Sequence, residues 1–426
     1  MEHLMEIYKQ KFSKSEALFQ KYKNLFPLGI SHDIRSFEPF PFVVEKSEKG
    51  RIYTIDGIRL VDLWMGHYTN ILGHCNPQIV DQVAKISRKL TQIGIVNRLQ
   101  GELAEIIKEA VPEMELIRFT TSGTEATMYA TRLAKKFTNR DIIAKIEGGW
   151  HGGNSDLSFD VKPPYTGIKN GVISIPYNNT EKSLEILEKF RNKIAGIILE
   201  PVMGAGGGVK VEERFLKSIK EYCNQTDSLL IFDETITGFR FRYGSIYPIL
   251  GVKPDLFTMG KIIGGGFAIG LYGGRKDVLS LIEKKEIITG GGTFSEHPVT
   301  MAAGITTLTL LKNADYDKLN DTGDLIRKEV SKFIEKYKPK AFVSGYGSMI
   351  ALHFYNCSKN DIDPKQPSTF LPFSDPKKEN LFKIAMILNG VYTMHSGGAL
   401  SFAHNKKDID IIINGYKKSF KAIRDE

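Results

Sequence analysis

A lysine set among glycines and apolar residues is the most chemically suggestive feature of this 426-residue sequence. Lys261 stands in Met259-Gly260-Lys261-Ile262-Ile263-Gly264-Gly265-Gly266. Lysine is seldom buried without a purpose, and apolar surroundings depress its pKa. The neutral amine that results can attack an aldehyde to form an imine and, once released, act as a base. A snorkelling side chain with its head in water is the plain alternative, and the flanking glycines weigh against it. Upstream, Ile231-Phe232-Asp233-Glu234 ends a hydrophobic strand in a carboxylate. Its desolvation is costly unless a cation meets it, although a helix cap or a structural ion pair would also account for Asp233.

A third group lies further upstream, in Phe119-Thr120-Thr121-Ser122-Gly123-Thr124-Glu125-Ala126. The segment follows an apolar run and opens a helix whose Ala126, Tyr129, Ala130, Leu133 and Ala134 share one face. Ser122, Gly123 and Thr124 therefore sit at a helix N-terminus, where unpaired N–H groups and the helix dipole hold anions. An ordinary N-cap gives the same pattern, so the neighbours must decide. Gly260-Lys261 is followed by Ile262 and lacks the upstream glycine of a P-loop, and no GxGxxG occurs. The usual signatures for ATP and NAD are thus missing. An anion site, a strand-end carboxylate and a glycine-flanked lysine, in that order, are what pyridoxal phosphate (PLP) chemistry needs: a phosphate holder, a partner for a protonated ring nitrogen, and an imine former.

The elements that must position these groups read as an α/β core. From Leu116 to Gly274, short β-branched runs alternate with amphipathic stretches, predicting a mostly parallel sheet covered by helices. The predicted strands are Leu116–Thr120, Ile142–Ile146, Val172–Ile175, Ile194–Leu199, Leu229–Phe232 and Leu256–Met259. Ligands of such sheets gather at the carboxyl ends of the strands. A polar helix is predicted near Lys14–Leu25, a hairpin around Asp56-Gly57 and a boundary helix near Thr300–Leu311. The expected division is residues 1–70, contributing to a small domain, a large cofactor-binding domain over 71–311, and the rest of the small α+β domain over 312–426.

Composition sets outer limits. A 42% hydrophobic and 25% charged chain can bury a large core. No apolar run approaches the length of a membrane span, and the polar, acidic start does not read as a secretory signal, so a cytoplasmic enzyme is expected. The cysteines Cys75, Cys223 and Cys357 suit neither a disulfide framework nor a paired zinc site, and no metal is expected. The net charge of +9 comes from scattered lysines, which argues against nucleic acid and is compatible with anionic small molecules.

These motifs, over nearly the full length, resemble the class III aminotransferases of fold type I, and within them the glutamate-1-semialdehyde 2,1-aminomutase branch. The resemblance implies that Ser122-Gly123-Thr124 holds the PLP phosphate and that Trp150, in Glu147-Gly148-Gly149-Trp150-His151-Gly152, stacks on the pyridine ring beside His151. It further implies that Asp233 pairs with the ring nitrogen and Lys261 binds the cofactor covalently, with Glu200 of Glu200-Pro201 supporting them. Gly292-Thr293 would reach the phosphate of a neighbouring subunit, giving a homodimer with shared active sites. For Trp150 a core anchor, and for Thr293 a helix cap, are the ordinary alternatives.

Arg35, in Ile30-Ser31-His32-Asp33-Ile34-Arg35-Ser36-Phe37, resembles the branch's carboxylate-gripping arginine, a role that the guanidinium fork suits. Three residues depart from the branch: His32 in place of serine, Tyr68 of tryptophan, and Ser396 of glutamate. Gly204-Ala205-Gly206-Gly207-Gly208 also replaces a more Asn-rich stretch. An intact cofactor set with an altered substrate shell points to a two-step aminotransferase acting on small amino and keto compounds. The aminomutase reaction is the alternative, with an amino-acid racemase or epimerase behind it.

Overall fold

The computed structural model describes residues 2–285, 287, 290–394 and 397–424. Ser396 therefore lies outside the described residues. Three strands come first, β1 (Val44–Glu48), β2 (Arg51–Thr54) and β3 (Arg59–Asp62), forming an antiparallel meander. The expected turn joins β2 to β3, with Gly57 at φ 79°, a backbone conformation open to glycine at no steric cost.

The main sheet follows: β4 (Leu116–Thr120), β5 (Ile142–Ile146), β6 (Ile168–Lys169), β7 (Val172–Ile175), β8 (Ile194–Leu199), β9 (Leu229–Glu234), β10 (Leu256–Gly260) and β11 (Gly270–Gly274). Their order is β4-β11-β10-β9-β8-β5-β7-β6. Pairing is parallel from β10 through β9, β8 and β5 to β7, and antiparallel where β11 and β6 join. Every residue of β8 and of β9 is buried. Strands covered on both faces read as unbroken apolar runs, which is why Ile194-Ala195-Gly196-Ile197-Ile198-Leu199 was legible. The polar residues displaced to their ends, Glu200 and Asp233, then meet in the crevice at the sheet's carboxyl edge.

The helix Gly123–Thr138 lies against this sheet and buries Ala126, Tyr129, Ala130, Leu133 and Ala134, the face expected from their spacing. Burial of a side chain the size of Leu133 contributes roughly 1.5–3 kcal/mol. The last strands are β12 (Ala341–Ser344), β13 (Met349–Phe354), β14 (Val391–Tyr392) and β15 (Gly398–Ala399). β14 pairs in parallel with β3, so the two ends of the chain share one sheet. The expected helix near Lys14–Leu25 spans Ser13–Tyr22, and that near Thr300–Leu311 spans Pro298–Leu311. An unforeseen helix, Glu2–Lys11, docks through the buried Tyr8. None of the described helices is long and apolar enough to cross a membrane.

Candidate active site

Asp233, on β9 near its carboxyl end, is 4% exposed. Its Oδ1 accepts from the Thr235 N–H (3.1 Å), the Thr235 hydroxyl (2.6 Å) and the Thr258 hydroxyl (3.0 Å). Its Oδ2 lies 2.9 Å from His151 Nδ1. Burial alone would raise the Asp233 pKa, but His151 and Thr235 outweigh it and hold the carboxyl below its ordinary range. With the carboxylate as acceptor, Nδ1 carries the His151 proton. His151 Nε2 is buried without a partner among the described residues.

Glu200, just beyond β8, accepts the Trp150 N–H at Oε1 (2.9 Å) and the Gly204 N–H at Oε2 (2.8 Å). Burial pushes its carboxyl above the usual range against the pull of His151. Trp150 is 46% exposed, so its ring is not a core anchor. Its loop docks on the start of the helix Gly123–Thr138. The Thr127 hydroxyl donates to the His151 carbonyl (2.6 Å), and the Gly153 N–H donates to Thr124 Oγ1 (3.3 Å). Gly152, at φ 92°, would place a Cβ 2.4 Å from that same Oγ1, so no side chain fits there.

Ser122 Oγ caps the helix by accepting the Glu125 N–H (3.3 Å). The ordinary cap and the anion site therefore coexist: the Gly123 and Thr124 N–H groups have no acceptor among the described residues. Glu125 is turned back onto Thr121, whose N–H and hydroxyl both donate to its Oε2 (2.7 and 2.6 Å). A Cβ on Gly123 would sit 2.8 Å from Thr235, the same threonine that holds Asp233.

Lys261 begins the tight turn Lys261–Gly264 after β10, with φ 48°. A non-glycine residue in that region stores on the order of 1–3 kcal/mol. The side chain is half-buried and forms no ion pair among the described residues. Burial lowers its pKa from the ordinary 10.5, against the opposing pull of Asp233 and Glu200. The amine is thus shifted toward its neutral, nucleophilic form.

The fold brings Ser122, Gly123, Thr124, Trp150, His151, Glu200, Asp233 and Lys261 to one place. Tyr68 is on a turn that packs against Lys261–Gly264. His32 and Arg35 are exposed, and the His32 ring lies 5.5 Å from that of His67, next to Tyr68. Gly292 sits against Thr121 and Glu125, whereas Thr293 is exposed in a surface cleft with Ile95 and Val96. Thr235, Thr258 and the buried Arg240 were missed from sequence. Thr258 lies beside Asp233 only because β10 pairs with β9 in that register, a relation no local motif encodes.

A helix start with two free N–H groups, an ionised buried carboxylate, an orphaned imidazole nitrogen and an unpaired half-buried lysine form a site able to hold a phosphorylated cationic heterocycle bearing an aldehyde. Comparison with known proteins gives this class a name. The profile of the aminotransferase class-III family matches residues 34–400, and the chain belongs to that family. Its cofactor is PLP, and the chain is a PLP-dependent enzyme of the aminotransferase and aminomutase group. Among curated proteins it is 36% identical to a glutamate-1-semialdehyde 2,1-aminomutase of Thermoplasma acidophilum, across 95% of this chain and 98% of the other. Among solved structures it is similar to a β-phenylalanine aminotransferase from Variovorax paradoxus, with a TM-score of 0.91, 28% identity and coverage of 99% and 96%. A transaminase with PLP bound matches with a TM-score of 0.88 at 25% identity, covering 97% of this chain and 98% of that one. The expected fold, family and cofactor are thereby borne out.

Proposed function

We propose that the chain is an aminotransferase that moves an amino group from an amine or amino acid to a separate keto acid or aldehyde. One observation carries this most: a half-buried lysine with no ion pair and a lowered pKa is set beside an ionised, buried aspartate at the carboxyl edge of the sheet. Bound PLP supplies the electron sink that stabilises negative charge at the substrate Cα.

The remaining work falls to side chains. Lys261 Nζ would anchor the cofactor and carry the proton removed from the substrate Cα. Asp233, kept ionised by His151, Thr235 and Thr258, holds a proton on the ring nitrogen. The Gly123 and Thr124 N–H groups and the Ser122 and Thr124 hydroxyls take the phosphate. Trp150 would cover the ring, and Glu200 fixes the Trp150 backbone through its hydrogen bond. Arg35, free of a carboxylate partner among the described residues, receives the substrate carboxylate. His32 and Tyr68 shape the substrate side, with Ser396 assigned there on family resemblance alone.

A second copy of the chain completes the site through Gly292-Thr293. This accords with the exposure of Ile95, Val96 and Phe294 around that segment, an apolar surface that a partner would cover. The aminomutase reading draws support from the names of relatives 33% to 36% identical. Glutamate-1-semialdehyde offered without any keto acid separates the two. Little 5-aminolevulinate is expected, and robust formation would overturn the transaminase reading. Chiral analysis after incubation with one enantiomer of an amino acid checks for racemisation, and none is expected.

A further inference from the structure

Met65, Gly66, His67 and Tyr68 form a left-handed helical turn, with φ values of 47°, 61°, 59° and 68°. The Tyr68 N–H closes it on the Trp64 carbonyl (3.0 Å), and the Thr69 N–H on that of Met65 (3.0 Å). Each L-residue in a left-handed helix costs roughly 1–2 kcal/mol, and only one of these four is glycine. Such a conformation persists where its surroundings over-determine it, and it clusters at functional sites.

Two groups hold the turn. At its start, Asp62 Oδ1 accepts the N–H groups of Trp64 (2.8 Å) and Met65 (3.1 Å), with Oδ2 fixed by His74 Nε2 (2.7 Å). At its end stands Arg240, 1% exposed and without a carboxylate at ion-pair distance among the described residues. Its Nη2 donates to the Tyr68 carbonyl and its Nε to the Ile236 carbonyl (3.0 Å), and its guanidinium lies 5.6 Å from the centre of the Tyr68 ring.

A buried cation lacking an anion is unfavourable, and an apolar side chain of similar size would fill the space at lower cost. What Arg240 gains is contact with one residue in two ways, backbone oxygen and ring face. Together these fix both the backbone and the side-chain direction of Tyr68. The turn packs on Lys261–Gly264, and the charges of Arg240 and Lys261 oppose each other. Tyr68 therefore joins Arg240 to the turn that packs on Lys261–Gly264, and its hydroxyl lies within reach of the charge of Glu200, the residue that fixes the Trp150 backbone.

We infer that Arg240 is a positioning residue: by pinning the left-handed turn packed on Lys261–Gly264 it fixes where the Tyr68 ring stands at the edge of the site, and so sets which amines the site accepts. This rests on Lys261 being the reacting amine. The test is a double-mutant cycle read as single-turnover rates, from the visible absorbance of the PLP-loaded enzyme mixed with L-alanine, L-phenylalanine or 1-phenylethylamine. Arg240→Gln is expected to change the ratio of aryl to alkyl amine reactivity by about tenfold or more, with Arg240→Lys recovering part of it. In a Tyr68→Ala background the same change is expected to shift the ratio less than twofold, because the residue it acts through is gone. Unchanged selectivity in Arg240→Gln, or an equal shift in the Tyr68→Ala background, would overturn the role of Arg240. Should Arg240→Gln fail to fold, Arg240→Lys carries the cycle alone, with the same two outcomes deciding. A wild-type enzyme that reacts with none of these amines, nor with any other amino donor, would instead refute the reading of the site.

Discussion

Asp233 is buried and Lys261 half-buried, and loss of water acts on the two ionisable groups in opposite directions. For the carboxyl, hydrogen bonds from His151 and Thr235 reverse the effect of burial and keep it charged; for the amine, burial prevails and favours the neutral form. Asp233→Asn is therefore expected to lower kcat by roughly 100-fold, the order seen when one preorganised electrostatic partner is lost. Visible absorbance should confirm that the cofactor is still bound, and unimpaired turnover would count against the role of Asp233. The Lys261 shift predicts a pH dependence of cofactor capture. Because the neutral amine attacks and the folded pKa is depressed, the rate at which apoenzyme takes up PLP should rise with pH and level off below 10.5, the ordinary lysine value. Stopped-flow absorbance would measure it, and a rate still climbing above that pH would contradict the shift.

At the scale of elements, the loop bearing Trp150 and His151 depends on a residue that no motif announced. Lys145, fully buried on β5, donates to the carbonyls of Gly149 (3.0 Å), Leu157 (3.2 Å) and Phe159 (2.6 Å). Lys145→Met would orphan three acceptors, with an expected cost of about 2–4 kcal/mol. The change should appear as a lower Tm and faster amide exchange over residues 149–159, and protection equal to wild type would refute it. The strands from β5 to β10, save the two-residue β6, were legible because buried parallel strands are continuous apolar runs, and the helix Gly123–Thr138 because its apolar face repeats. β11 was not. Its sequence, Gly-Leu-Tyr-Gly-Gly, looks like a turn, yet a Cβ at Gly270 would lie 2.0 Å from the Ser122 carbonyl, so close approach to the anion turn demands glycine. Residues that carry a site motif, such as Lys261 and Asp233, could be read locally. Their supports, Thr258, Arg240 and Lys145, act across strands and loops that only the sheet order brings together.

At the scale of the molecule, the proposal that a second chain completes the site can be tested at an exposed apolar surface. Ile95 and Val96 are 75% and 79% exposed in the cleft that Thr293 shares. A charged residue there is expected to oppose association while sparing the fold of the single chain. Val96→Asp should shift the sedimentation coefficient from dimer toward monomer and reduce PLP affinity together; a fully active monomer would contradict shared sites. The chain is similar in sequence to aminomutases and in structure to transaminases, and the substrate residues proposed above are where the two reactions would be told apart. Everything turns on one covalent bond, and it can be observed directly. Borohydride reduction of the PLP-loaded enzyme, followed by peptide mass spectrometry, should find the pyridoxyl group on Lys261 alone, and a stoichiometric adduct on any other lysine would contradict the account.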